Sequence, residues 1–349
     1  MSPAPTTMLR EIAEQPQALQ ATLDALAPLR TELRTLVARS QRVVFFARGS
    51  SDSAATYGRY LVEILAEVPS AMGAPSVATL YGAHQDLSGT LAVLCSQSGR
   101  TEEISVVAQW ARECGARTVA VTNEAATPLA ELVDLALVTR AGPELAVPAT
   151  KSHTTCLLAM AELAAALMAH PEPLHAQLAE VPTEAARLLD QGAEPAAHAA
   201  RAASTARAVA VTGRGFSYAT ALELALKIEE TSLLPCLGLS QADLQHGPQA
   251  VLDAATPLVV ASAESGPTLP GLHAVAQAAV ARGTPVVMLG GSAVMRDLAD
   301  WTLPGSNLGE PVAPIAQIVS GQLFAEALAR ELGRDPDAPP GLSKVTRTA

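Results

Sequence analysis

The sequence predicts an α/β fold of two tandem, doubly wound parallel sheets. Three observations predict it. Short β-rich runs alternate with longer helical stretches, the runs are apolar almost throughout, and landmarks of the first half return in the second at one offset. In the first half, residues 42–47, 91–95, 118–122 and 135–139 read as strands. Their near-continuous apolar character is that of strands covered on both faces. Residues 53–67 and 102–114 read as helices, and such alternation implies a parallel sheet wound on both sides. Ligands of these sheets sit beyond the carboxyl ends of the strands. The turn Ala47-Arg48-Gly49 and the loop that begins at Ser96 both fall there.

The repeat is read from three matches. Ala47-Arg48-Gly49 returns as Gly213-Arg214-Gly215, Thr118-Val119-Ala120-Val121 as Thr284-Pro285-Val286-Val287, and Leu132-Val133-Asp134 as Leu298-Ala299-Asp300, each 166 residues later. Ser262-Ala263-Glu264-Ser265-Gly266 matches the Ser96 loop one residue out of step. The expected organisation is a helical arm over 1–30, a first domain over 31–190, a second over 195–332 and a tail over 333–349.

At 349 residues the chain accommodates two domains of ordinary size. Hydrophobic residues make up 49% and aromatic residues 3%, so the core is built from Ala, Leu and Val. Scarce aromatics and a net charge of -11 argue against a nucleic-acid partner, which needs stacking platforms and a basic stripe. Cys95, Cys114, Cys156 and Cys236 are scattered among apolar neighbours and form no ligand pattern, so reduced core thiols are expected. The N-terminus carries Arg10, Glu11 and Glu14 and no apolar signal core, and the greasy stretch 156–169 is too short to span a bilayer. The expectation is a cytoplasmic enzyme with neither a membrane nor a nucleic-acid partner.

Ser96-Gln97-Ser98-Gly99-Arg100-Thr101 lies between a strand and a helix. Free amides at a helix N-terminus attract anions, and three hydroxyls add donors. An ordinary Ser/Thr helix cap is the competing reading; so many donors at a strand's carboxyl end favour a phosphate. The pattern has no Walker lysine, which argues against a nucleoside triphosphate. In the second half Ala263 and Glu264 replace the donors. A carboxylate repels phosphate, so only the first half is expected to bind it.

The second chemical stretch is Glu223 to Glu230. Glu223, Lys227 and Glu230 are spaced four and then three residues apart and share one helical face, while Glu229 points elsewhere. On an exposed helix this is a solvated ion-pair ladder. Here the neighbours are nearly all apolar, so the charges are expected to be buried and to need partners or a task.

Ser96-Gln97-Ser98-Gly99-x-Thr101, Ala149-Thr150-Lys151, Gly213-Arg214-Gly215, Ala225-Leu226-Lys227-x-x-Glu230 and His246-Gly247-Pro248 together resemble the isomerase half of glucosamine-6-phosphate synthase, a pair of sugar isomerase (SIS) domains. The likeness runs from about Glu11 to the C-terminus. It implies two flavodoxin-like three-layer sandwiches, no metal and no organic cofactor. It also implies roles. Ser96, Gln97, Ser98 and Thr101 hold the sugar phosphate; Gly49, Ser50 and Ser51 line the sugar site; Val147 and Ala149 touch the sugar. Glu230 shuttles a proton between C1 and C2 with Lys227 beside it. His246 assists ring opening from the neighbouring subunit of a homodimer. Lys344 sits on a tail that closes over the sugar and forms an imine with the open ketose.

The synthase begins with a glutaminase domain whose nucleophile is an N-terminal cysteine. Met1-Ser2-Pro3 offers none, so ammonia from glutamine is not expected. Arg100, Ala141-Gly142-Pro143-Glu144, Pro148-Ala149-Thr150-Lys151-Ser152 and Leu342-Ser343-Lys344-Val345-Thr346 are more similar to SIS-type glucosamine-6-phosphate deaminases. The expected activity is therefore an aminosugar-phosphate deaminase/isomerase converting glucosamine 6-phosphate to fructose 6-phosphate and ammonia. The alternatives are a fructosamine-phosphate deglycase, another SIS phosphosugar isomerase such as one for galactosamine 6-phosphate, and a non-catalytic sugar-phosphate sensor.

Overall fold

The computed structural model describes residues 4–344. It holds two five-stranded sheets in which every pairing is parallel. The first comprises β1 (Arg42–Phe46), β2 (Ser70–Met72), β3 (Thr90–Cys95), β4 (Arg117–Thr122) and β5 (Leu135–Val138), ordered β2-β1-β3-β4-β5. The second comprises β6 (Val209–Gly213), β7 (Cys236–Ser240), β8 (Leu258–Ser262), β9 (Val286–Gly290) and β10 (Trp301–Leu303), ordered β10-β9-β8-β6-β7. Read from its β7 edge, the second sheet repeats the winding of the first. The sequence repeat is thus a repeat of topology. Each sheet reverses its strand order once, between β1 and β3 and between β6 and β8, and ligand crevices open at such reversals.

Two compact units are present. Unit I takes residues 17–144, 151–179 and the tail from Ser343, and carries β1–β5; unit II takes the residues up to 16, 145–150 and 180–342, and carries β6–β10. Val345 and Thr346 of the expected tail motif, like Met1-Ser2-Pro3, lie outside the described residues.

Of the strands that read as near-continuous apolar runs, β3, β8 and β9 are buried at every position, whereas β1, β4 and the edge strand β5 keep partly or fully exposed positions. The edge strand β2 was not expected. It has three residues, none fully buried, too few to show a period. In unit I, Phe46, Ala92, Leu94 and Ala120 of the sheet pack on Ile104, Val107, Ala108 and Ala111 of helix Glu102–Glu113. Helix Lys151–Leu167 is buried from Lys151 through Ala165, so it shows no polar face in the sequence. In unit II, helix Ser217–Ser232 packs against helix Ala313–Glu331, which is buried from Ala313 to Ala329. Helix Thr7–Ala13 docks in the same unit: the Asp337 carboxylate accepts the Thr7 and Met8 amides, each at 2.7 Å, and Thr6 donates to Glu326 at 2.8 Å. All four cysteines are buried and free. No helix among the described residues is long and apolar enough to cross a membrane.

Candidate functional site

Unit I brings together the turn after β1 and the loop after β3. Gly49 precedes helix Ser50–Leu65 with φ of +59°, which turns the chain sharply out of the strand. Ser50 and Ser51 begin that helix, half-buried, and the Ser50 carbonyl lies 3.1 Å from His153 Nδ1. The Ser96 amide donates to Val121 O and the Gln97 carbonyl accepts from the Asn123 amide, so the start of the loop is tied to the end of β4 and the residue after it. Gly99 has φ of +60°, and a Cβ there would stand 2.3 Å from Thr127 Oγ1, so the loop closes only on glycine.

Thr101 occupies the N-cap of helix Glu102–Glu113 but makes no capping bond with its side chain. Its hydroxyl pairs instead with Ser96 Oγ at 2.9 Å. A capping threonine satisfies the orphan amides of the first turn; this one leaves that task to another acceptor. Arg48 pairs with Glu103 through two contacts of 2.8 and 3.0 Å, joining the β1 turn to the helix that follows the loop. Arg100 is exposed and meets Glu124 at 3.4 Å.

Glu144, quoted from the sequence without a role, is the residue the structure adds. Its carboxylate has no exposed side-chain surface; it accepts from the Ser152 amide at 3.0 Å and hydroxyl at 2.6 Å, and pairs with Lys344 Nζ at 2.6 Å. Burial opposes its charge, yet the lysine and the serine donors outweigh burial and hold its pKa below the ordinary carboxylate value. Lys344 is therefore an anchored group. Lys151, at the start of the same helix as Ser152, is among the largest fully buried side chains.

In unit II the face expected on helix Ser217–Ser232 forms. Lys227 is buried, lies 3.5 Å from Glu223 Oε1, and pairs with Glu230 Oε2. Glu223 is wholly buried, whereas the Glu230 side chain keeps 22% exposure. Glu229 does point elsewhere, accepting the Cys236 amide at 3.3 Å. Val147 and Ala149 sit half-buried in a loop held from below by Glu11, whose carboxylate accepts the amides of Leu145 and Ala146. The Val147 amide donates to Asp337 O at 3.2 Å. His246 ends helix Gln241–Gln245 on an exposed turn, before Gly247.

The loop after β8, expected to reject phosphate because of Glu264, is filled by a second carboxylate. A Cβ on Gly266 would lie 2.3 Å from Glu310 Oε2, and Thr268 donates to Glu310 Oε1 at 3.0 Å. Glu264 itself turns to Arg296 at 3.0 Å. Burial raises the Glu310 pKa above its ordinary value despite the Thr268 bond. No cluster of three or more His, Cys, Asp or Glu side chains suited to a metal ion occurs among the described residues.

Comparison with known proteins gives this geometry relatives. The SIS domain model matches residues 36–166 and 204–294. The glutamine–fructose-6-phosphate aminotransferase (isomerizing) of Thermococcus kodakarensis is 33% identical over 351 residues, 97% of this chain and 58% of that protein. The chain thus spans less than two thirds of that relative's length. Among solved structures, a protein of Silicibacter pomeroyi DSS-3 provisionally assigned as a phosphosugar isomerase matches with a TM-score of 0.86 at 33% identity, covering 95% of this chain and 100% of that one. The glucosamine-6-phosphate deaminase of Thermotoga maritima matches with a TM-score of 0.78 at 22% identity over 98% of this chain and 100% of that one, a likeness of fold.

Proposed function

Since the chain belongs to the SIS domain family, we propose that it is a phosphosugar isomerase acting on an aminosugar phosphate, and that it releases ammonia from glucosamine 6-phosphate. The observation that carries the reading is the Glu223–Lys227–Glu230 face: a fully buried lysine holds one wholly buried carboxylate and one that keeps access to solvent. A carboxylate paired with a lysine and open on one side is suited to take a proton and return it.

The loop Ser96–Thr101 binds the ester phosphate, with Gly49, Ser50, Ser51, Val147 and Ala149 around the sugar. His246, from the second copy of a homodimer, helps the pyranose open to the aldehyde. Glu230 removes the C2 proton, giving the enolamine, and delivers it to C1. The product is a C2 imine with a C1 hydroxymethyl group. Water adds to the imine, ammonia leaves, and fructose 6-phosphate remains. Lys344, which pairs with Glu144, is assigned a transient imine with the open ketose, water leaving as it forms and returning as it is hydrolysed.

The deaminase reading is supported by Glu144. The segments ending in Glu144, ending in Ser152 and containing Lys344 are those that resemble the deaminases, and the Ser152 and Lys344 side chains meet at the Glu144 carboxylate. The deciding assay incubates purified protein with glucosamine 6-phosphate, galactosamine 6-phosphate and a fructosamine phosphate, scoring ammonia and ketose. Ammonia and fructose 6-phosphate are expected from the first. Release from none, with sugar phosphate still bound, refutes the enzyme and leaves the sensor.

A further inference from the structure

A cleft in unit I lies outside everything above. Helix Arg30–Val37 forms one wall, the C-terminal half of helix Lys151–Leu167 and the residues after it the other, and its volume is about 580 Å³. Small-molecule sites commonly enclose roughly 300–1,000 Å³. Its floor is apolar, made by Ala38, Ala165, Ala166 and Pro171. Glu162, the carboxylate of the lining, is 2% exposed and fully engaged. Arg30 holds both its oxygens, at 2.6 and 3.0 Å, and His175 Nε2 stands 3.3 Å from one of them.

Two arginines of the lining are left over. Arg34 reaches only the Ala169 carbonyl, at 3.4 Å, and Arg39 has no hydrogen-bond or ion-pair partner among the described residues. On a chain of net charge -11, two uncommitted guanidinium groups beside an apolar floor are a local reversal of sign. Guanidinium groups match carboxylates and phosphates in paired hydrogen bonds. Glu162 lies nine residues along its helix from His153, which touches the Ser50 carbonyl, on the order of 13 Å, and no residue of the Ser96 loop lines the cleft.

We propose that this cleft is a second ligand site, taking a small organic anion: a carboxylate or phosphate held by Arg34 and Arg39, with an apolar body on the alanine and proline floor.

The test is calorimetric titration of the full chain with benzoate, phenyl phosphate and, as the neutral control, benzyl alcohol. It is run on the native protein, on Ser96→Ala/Ser98→Ala, in which the phosphate loop is disabled, and on Arg34→Gln/Arg39→Gln. The expected result is that both anions bind the native and loop-disabled proteins alike, that benzyl alcohol does not, and that the arginine variant weakens both anions at least tenfold. Phenyl phosphate binding lost with the loop serines, anion binding indifferent to the arginines, or no anion binding at all overturns the site. So does sedimentation showing that the arginine variant falls apart as an oligomer, because the cleft is then covered by a second copy. None of these outcomes bears on ammonia release.

Discussion

Glu230 differs from its two partners on the helix in one respect: its side chain touches solvent, whereas Glu223 and Lys227 are sealed. In the proposed mechanism that asymmetry separates the group that exchanges protons from the groups that hold it in place. Glu230→Gln keeps the shape and removes the base, so turnover is expected to fall at least ~100-fold with sugar-phosphate affinity within a few-fold of native. Ammonia release together with equilibrium binding checks this, and an unchanged rate removes Glu230 from the mechanism. Glu144 carries a prediction about pH. Its pKa is lowered in the folded chain, so its contribution to stability is full above the ordinary carboxylate range and is lost as pH falls through the lowered value. Tail docking is therefore constant through neutral pH and fails only in acid. Limited proteolysis near Lys344 across pH reads this directly. Glu144→Gln is expected to expose the tail at pH 7 and to abolish the acid transition.

The phosphate loop shows at the level of an element what its hydroxyls do not show singly. Thr101 stands at a helix N-cap, yet its side chain bonds Ser96 and not the helix. Gly99 permits this by carrying a left-handed backbone angle within van der Waals distance of Thr127. Gly99→Ala adds a backbone cost of about 1–2 kcal/mol and a clash, so a fall of several degrees in Tm and at least a tenfold rise in KM are expected, with kcat less affected. Thermal melts and steady-state kinetics on the same preparation separate the two effects. Equal losses in KM and kcat count against a loop that binds only the ester. In the second sheet the equivalent loop closes on Glu310, whose carboxylate lies against Gly266. The duplicated element keeps its winding, while the position that corresponds to the proposed phosphate site is filled by a carboxylate of the same unit.

At the scale of the whole molecule, His246 on an exposed turn is what a residue donated to a second copy requires. In a dimer with shared sites, Glu230→Gln and His246→Ala chains are each inactive. When mixed and reassembled, they form one intact site in each mixed dimer, so recovery is expected to approach about a quarter of native activity. No recovery, with mixed dimers shown to form, places both residues in one chain's site. The two sheets share the order in which strands were added, and each reverses it at the same point, where ligand crevices form in such sheets. There the Ser96 and Thr101 hydroxyls pair with each other in unit I, whereas Glu310 fills the equivalent loop in unit II.

Local spacing determined a good deal. Alternating short apolar runs and helices specified two parallel sheets, because strands buried on both faces carry no polar period. The face of Glu223, Lys227 and Glu230 follows from helical geometry over two turns, and the donor loop from its own six residues. β2 escaped because three residues, two half-buried around an exposed one, are too few to show a pattern. The rest needed the fold. Glu144 meets Lys344 from 200 positions away, Glu310 reaches Gly266 from a separate loop, and two arginines near the N-terminus face alanines of helix Lys151–Leu167. Periodicity records how a segment meets its immediate neighbours; which distant charge is neutralised, and which is left without a partner, is decided only when the chain closes on itself.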